Sequence, residues 1–258
     1  MKWLVSYPRS GRNWLIAMLG HRLTGKPQNN RWLKDGGCPG LNATHDGAVF
    51  HRSKQAKRDP TRPPKSQYLA MDARYTDSEV FHLIRDPRDC SISHFIYYTQ
   101  RERRRRRFGT DINTFLHSCW GLPYHMAFLN RWADLQHSCH TYVQLRYEDL
   151  AKDPITHFFS FLNFYTPDIR YPRTAVESTI RLVDLPCIRQ MDVDGQMPGR
   201  VSYRKRKNNP LAGFCVHGRP RGWLNDPRIG LTEDTKQWME EYISQHLSDI
   251  YAFYKENV

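Results

Sequence analysis

Arg9, Ser10, Gly11, Arg12 and Asn13 form one unbroken run between an apolar stretch and a helical pattern. The run offers two guanidinium cations, a hydroxyl and an amide, and it holds no carboxylate. Ahead of it, Trp3-Leu4-Val5 reads as a buried strand, and Pro8 and Gly11 break that pattern. Beyond it, Trp14 with Met18, and Leu15 with Leu19 and Leu23, recur at helical spacing. Strand, tight loop and helix is the geometry that aims backbone N–H groups at an anion. The chemistry on offer is a phosphate or sulfate cradle, although the same letters also suit a basic strand-to-helix turn with nothing bound.

A second constellation follows the apolar run Val80-Phe81-His82-Leu83-Ile84. Arg85 ends that run, Asp86 suits an N-cap, Pro87 the first helical position and Asp89 the first turn. Ser93 lies within the helix so begun, and Ile92, Phe95, Ile96 and Tyr97 give it an apolar face. Two basic loops, each at the carboxyl end of a strand, occupy the edge where open α/β sheets bind ligands. Two anion sites on one edge suit a nucleotide carrying phosphates at two places.

These residues need a scaffold, and 258 residues are ample for one. Hydrophobic content of 39% with 25% charge fits a globular chain. The net charge of +13, from 39 Lys+Arg against 26 Asp+Glu, attracts anions of any kind without choosing among them. The segment 51–66 and the run Arg101–Arg107 concentrate part of it; the latter reads as a solvated helix end or as an electrostatic lip. Cys38, Cys90, Cys119, Cys139, Cys187 and Cys215 are scattered, with no metal-ligand spacing, so reduced thiols in a cytoplasm are expected and no metal is. Only Met1 and Lys2 precede the first strand, and the apolar stretch 158–165 is too short to span a bilayer, so no membrane partner is expected.

The chain order predicts strands at about 3–5, 80–84 and 142–145 and helices after Gly11, after Asp86, over 112–136 and 152–165, and after Thr232. Residues 26–40 and 195–222 read as loops, and 42–47 as strand or loop. Alternating strands and helices predict one domain over 1–258. Its expected class is three-layer α/β/α with a mainly parallel sheet and a P-loop-like loop.

With both loops in view, the sequence resembles the cytosolic sulfotransferase family. Pro8-Arg9-Ser10-Gly11-Arg12-Asn13-Trp14 lines up without a gap on that family's P-K-S-G-T-T-W loop. Arg85-Asp86-Pro87-Arg88-Asp89 through Ser93 matches its R-N-P-K-D-x-x-x-S motif, and Tyr147-Glu148-Asp149 its Y-E-D strand end. The resemblance implies 3′-phosphoadenosine 5′-phosphosulfate (PAPS) as sulfonate donor, 3′,5′-diphosphoadenosine (PAP) as product, and no metal. It also implies a small-molecule acceptor bearing a hydroxyl or amine, with no nucleic acid as partner. Thr44-His45 sits where the family has K-T-H, which implies His45 as the general base; neutral imidazole suits that task. His51 and His82 are the rival histidines. Arg9, in place of the family's Lys, would hold the leaving phosphate oxygens, and Ser10, Gly11, Arg12 and Asn13 the 5′-phosphate. Arg85 and Ser93 would hold the 3′-phosphate. Trp14 would stack on adenine unless it is a core residue, and Tyr147 would meet the base edge. Ser93 equally suits a helix serine bonded to its own backbone.

Three departures stand out. Arg9 replaces Lys, Ala43 stands where the K-T-H lysine belongs, and the late R-K-G-x-x-G-D-W element is only partly echoed by 216–223. There His217, Gly218 and Arg219 are the expected nucleotide contacts, with Arg219 or Arg221 supplying the charge. Two other readings compete. A P-loop kinase lacks its G-x-x-x-x-G-K-[ST] pattern here, and a nucleic-acid-binding module rests on the net charge and the Arg101–Arg107 run, with no recognised binding motif.

Overall fold

The computed structural model describes residues 1–45, 73–97, 99, 111–118, 120–194, 221–222 and 224–255. Among them, four strands make one sheet: β1 (Lys2–Ser6), β2 (Leu41–Thr44), β3 (Glu79–Ile84) and β4 (Thr141–Arg146). Their spatial order is β2-β1-β3-β4 and every pairing is parallel. The register sets Val5 beside Thr44, Ser6 beside Leu83, and Ile84 beside Arg146. The strand order reverses direction around β1, so the loop after β1 stands at a topological switch point.

Both faces of the sheet are buried, as parallel sheets require. On one face, Val5, Val80 and Ile84 meet α3 (Pro87–Ile96), α4 (Ile112–His117), α5 (Leu122–Leu135) and α10 (Glu233–His246). On the other, Leu4, Phe81, Leu83 and Leu145 meet α1 (Arg12–Thr24), α7 (Pro154–Tyr165), α8 (Arg173–Leu182) and α9 (Leu185–Asp194). Neighbouring residues of β3 therefore serve opposite cores, the expected period of two. The result is the three-layer α/β/α arrangement.

The predicted caps form. The Asp86 carboxylate accepts from Arg88 N at 2.9 Å, and Thr232 Oγ1 accepts from Thr235 N at 3.2 Å. Over the predicted helices at 112–136, Phe115, Leu116, Trp120, Phe128, Leu129, Trp132 and Leu135 are buried. Several expectations change. Residues 26–40 contain a short helix, α2 (Asn30–Trp32), because Asn29 Oδ1 caps Arg31 N and Trp32 N; a π-type turn, Leu33–Gly37, follows. Residues 41–44 are a strand, since pairing with β1 supplies the ladder that their letters alone do not demand. Leu23 is exposed, because α1 has by then run past the sheet. The 152–165 helix is preceded by a separate turn of helix, α6 (Tyr147–Lys152), and Asp153 caps the second through Thr156 N. It buries Phe161 and Phe164 along with Phe158 and Leu162, leaving Ile155 and Phe159 half-buried.

Candidate active site

The loop between β1 and α1 is shaped by backbone geometry. Ser10 N donates to Tyr7 O at 3.3 Å, Arg9 takes φ +80° and Gly11 φ +93°. A left-handed arginine is uncommon, and such backbone strain clusters where loops grip ligands. A Cβ at Gly11 would lie 2.4 Å from Tyr147 Cδ2, so only glycine lets the loop lie flat on that ring. No side chain caps the start of α1, and its first turn holds no acidic residue. The helix end is thus open to an anion.

Side chains from β3 and α3 close on this loop. Arg9 Nε donates to Ser93 Oγ at 3.1 Å, and its guanidinium lies 5.1 Å from the Tyr97 ring centre. Arg85 Nη1 donates to Arg9 O at 3.2 Å and Nη2 to Asp89 Oδ2 at 3.1 Å, while the guanidinium sits 4.5 Å from the Tyr147 ring centre. Burial alone would weaken the Arg85 cation, but Asp89 and then Tyr147 outweigh it and hold its pKa above the ordinary value. Its Nε is buried and has no protein partner among the described residues. Cys90 Sγ donates to Pro8 O at 3.2 Å and lies 3.5 Å from Ser10 Oγ. Burial pushes that thiol up to about 12, so it is a neutral strut under the loop.

His45 follows β2 directly, and its ring lies toward β1. Its Nδ1 lies 2.6 Å from Ser6 O, and a carbonyl only accepts, so Nδ1 carries the proton. Nε2 is therefore the lone-pair nitrogen, and Arg12 Nη2 stands 2.6 Å from it. Arg12 Nη1 donates to Thr44 O at 2.7 Å. Burial, then the Arg12 charge, hold the His45 pKa well below its ordinary value against the Ser6 bond. Burial lowers the Arg12 pKa to about 9, which leaves it cationic at neutral pH.

The expected site residues thus divide. Arg9, Ser10, Gly11, Arg12, Arg85, Ser93 and His45 gather at the carboxyl ends of β1, β2 and β3. Asn13 is half-buried beside them at the start of α1. Trp14 points elsewhere: it is a core residue whose Nε1 donates to Val183 O at 2.8 Å. Tyr147 is buried between Gly11 and Arg85. Ser93 meets Arg9 across the loops. His82 is buried in the sheet with Nδ1 2.5 Å from Tyr142 Oη, and burial lowers its pKa to about 3. His51, His217, Gly218 and Arg219 lie outside the described residues. Arg221 reaches Asp86 Oδ2 at 3.9 Å.

Sequence reasoning missed Asp89 as a partner of Arg85, although their i,i+4 spacing on α3 was a usable signal. It also missed Glu148, whose Oε1 accepts Asp86 N at 2.9 Å and Oε2 the Tyr254 hydroxyl at 2.9 Å. No local spacing announces that second bond.

An open helix end, a buried cation with an unpartnered Nε and a neutral histidine converge here with no carboxylate facing them from the loop. The family profile described as the sulfotransferase domain matches residues 2–250. The chain belongs to the sulfotransferase family. Sulfonate transfer from PAPS is that family's reaction, and the kinase and nucleic-acid readings fall away with this assignment. No curated protein sequence matches the chain significantly. Among solved structures, it is similar to mouse sulfotransferase SULT7A1 complexed with PAP. That match has 16% identity and a TM-score of 0.62, covering 99% of this chain and 87% of the other. It is also similar to retinol dehydratase in complex with androsterone and PAP, at 13% identity and TM-score 0.58, covering 96% and 80%. At such identities the likeness is one of fold. No described helix is long and apolar enough to cross a membrane, and no metal-binding cluster occurs among the described residues.

Proposed function

We propose that this chain, as one domain in the cytoplasm, moves a sulfonate group from PAPS to a hydroxyl or amine of a small polar acceptor, with His45 as general base. The observation that supports it most is the meeting of Arg9, Arg85 and His45 around one open helix end. PAPS supplies an activated sulfonate and a nucleotide leaving group. The open amides of the β1–α1 loop suit its 5′-phosphate, and Arg85 with its spare buried Nε suits the 3′-phosphate. His45 takes the acceptor proton at Nε2, while Nδ1–H stays on Ser6 O and steadies the imidazolium that forms. As the new bond to sulfur forms, the bridging S–O bond breaks and its electron pair leaves with the 5′-phosphate. Arg9 stands to balance that charge. His217, Gly218 and Arg219 complete the nucleotide site in this reading. Polar, basic loops favour a polar acceptor.

The test is an acceptor screen with labelled PAPS, preceded by thermal shift with PAP in the absence of Mg²⁺. PAP should raise the melting temperature, and His45→Ala should abolish transfer while binding PAP normally. Stabilisation by Mg²⁺·ATP but not by PAP would overturn the donor assignment.

A further inference from the structure

The base is occupied. Neutral imidazole has one N–H and one lone pair, and Ser6 O claims the N–H at 2.6 Å. The lone pair on Nε2 faces Arg12 Nη2 at 2.6 Å. A histidine so engaged cannot accept a proton from any substrate until the guanidinium withdraws.

Arg12 also has somewhere to go. It is the first residue of α1, beside the open amides of the loop, and its buried Nε has no partner among the described residues. In its present place it bonds a neutral imidazole and the Thr44 carbonyl. Those bonds are charge-assisted from the donor side alone, and an ionised phosphate or sulfonate oxygen adds the attraction of an opposite charge. A phosphosulfate arriving at the loop would outbid both. The residue next to Thr44 is Ala43, which brings no charge of its own to this strand end. Among the described residues, Arg12 is the cation in contact with the base, delivered from the neighbouring strand's loop.

We propose that Arg12 is a donor-operated gate on His45: it holds Nε2 while the donor site is empty and releases it when a phosphosulfate or 5′-phosphate draws the guanidinium away. This rests on the reading of His45 as base and PAPS as donor. Arg12 is a positioning residue, since it acts on the reaction through His45. The gate leaves the acceptor unactivated until the sulfonate is in place. Among the described residues, four groups act on the His45 charge: Arg12 from α1, Ser6 from β1, His94 from α3 and Lys34 from the turn after α2. Arg12, His94 and Lys34 all disfavour the imidazolium, and the Ser6 carbonyl favours it. Of the three cationic or ionisable groups, Arg12 alone contacts Nε2.

The experiment is NMR on the full chain with ¹⁵N-labelled histidine, assigned with His45→Gln, with calorimetry of PAP binding alongside. Without ligand, His45 should be the Nδ1–H tautomer and titrate well below its ordinary range. Saturating PAP should move that titration upward by about one pH unit or more, a tenfold change in proton affinity. Arg12→Gln should raise the ligand-free value and remove most of the PAP response, and Arg12→Lys should restore part of it. PAP binding that leaves His45 unmoved overturns the gate while sparing the donor assignment. An unchanged ligand-free titration in Arg12→Gln also overturns it. Failure of PAP to bind the wild type overturns the donor assignment and the gate together, whereas the ligand-free comparison still reads Arg12's hold on the base.

Discussion

Gly11 lies against Tyr147 so closely that a methyl group would sit 2.4 Å from the ring's Cδ2. This contact ties the β1–α1 loop to the end of β4 across β3. Gly11→Ala meets two penalties. A non-glycine residue at φ +93° costs about 1–2 kcal/mol, and the ring must also move. Gly25 is the control, with φ +73° and nothing within 4 Å of its added Cβ. Gly25→Ala should cost about 1 kcal/mol and leave PAP affinity alone. Gly11→Ala should lose more stability in urea unfolding and weaken PAP binding. Equal losses with intact binding in both variants would refute the role given to this contact.

Much of this arrangement was legible in the sequence because it is local. The cradle needs a strand, a turn and a helix start within about residues 3–24, and each has its own letter pattern. Asp86-Pro87 marks the start of α3 because capping is a matter of adjacent residues. The hold of Arg12 on His45 spans 33 positions and depends on how β1 and β2 pair, which no spacing rule reports. The Glu148–Tyr254 bond spans 106 positions and was equally silent. Trp14 was ambiguous for a different reason: a residue at helical spacing fits a core or a ligand face equally until the helix is placed on its sheet. Helices α8 and α9 went unread, although Val176 and Ile180 recur at helical spacing on α8.

Arg9 and Ser93 join the two anion loops through one 3.1 Å bond. If Arg9 balances charge on the leaving oxygen, its loss belongs to the transition state. Arg9→Ala should lower kcat by about 10²–10³-fold, with a smaller loss of PAP affinity. Arg9→Lys should recover much of the rate, since the charge remains. Steady-state kinetics with calorimetry of PAP separates the two effects. An Arg9→Ala enzyme with wild-type kcat would remove Arg9 from the chemistry.

Trp14 offers a decision between two roles. Its indole N–H bonds Val183 O at 2.8 Å, and its ring meets Tyr147 edge-on at 6.2 Å between centres. Trp14→Phe should leave a buried carbonyl unsatisfied and cost about 1–3 kcal/mol in urea unfolding. PAP affinity should change by less than about twofold, under ~0.5 kcal/mol. A tenfold loss of PAP affinity in a folded variant would return Trp14 to the nucleotide site.

Glu148 links the second anion loop to the chain's carboxyl end, because it accepts both the Asp86 N–H and the Tyr254 hydroxyl. Arg88 fastens the same corner through Asp86, Glu240 and the Tyr254 carbonyl. Burial raises the Glu148 pKa; the Asp86 N–H bond works against that and the Asp86 charge works with it. The folded protein therefore keeps a proton on Glu148 where the unfolded chain has released it. Stability from this group is present at low pH and declines as pH rises from about 4.3, the ordinary glutamate value, through the raised one. Glu148→Gln removes that titration, and its amide can still accept from Asp86 N while donating to the Tyr254 oxygen. The stability of wild type minus Glu148→Gln, from urea unfolding at several pH values, should fall over this interval and then level off. Glu148→Ala should lose about 1–3 kcal/mol by stranding the two donors. A difference that stays flat or rises with pH would mean that the carboxylate is held charged in the fold, with Arg85 and the Asp86 N–H outweighing burial.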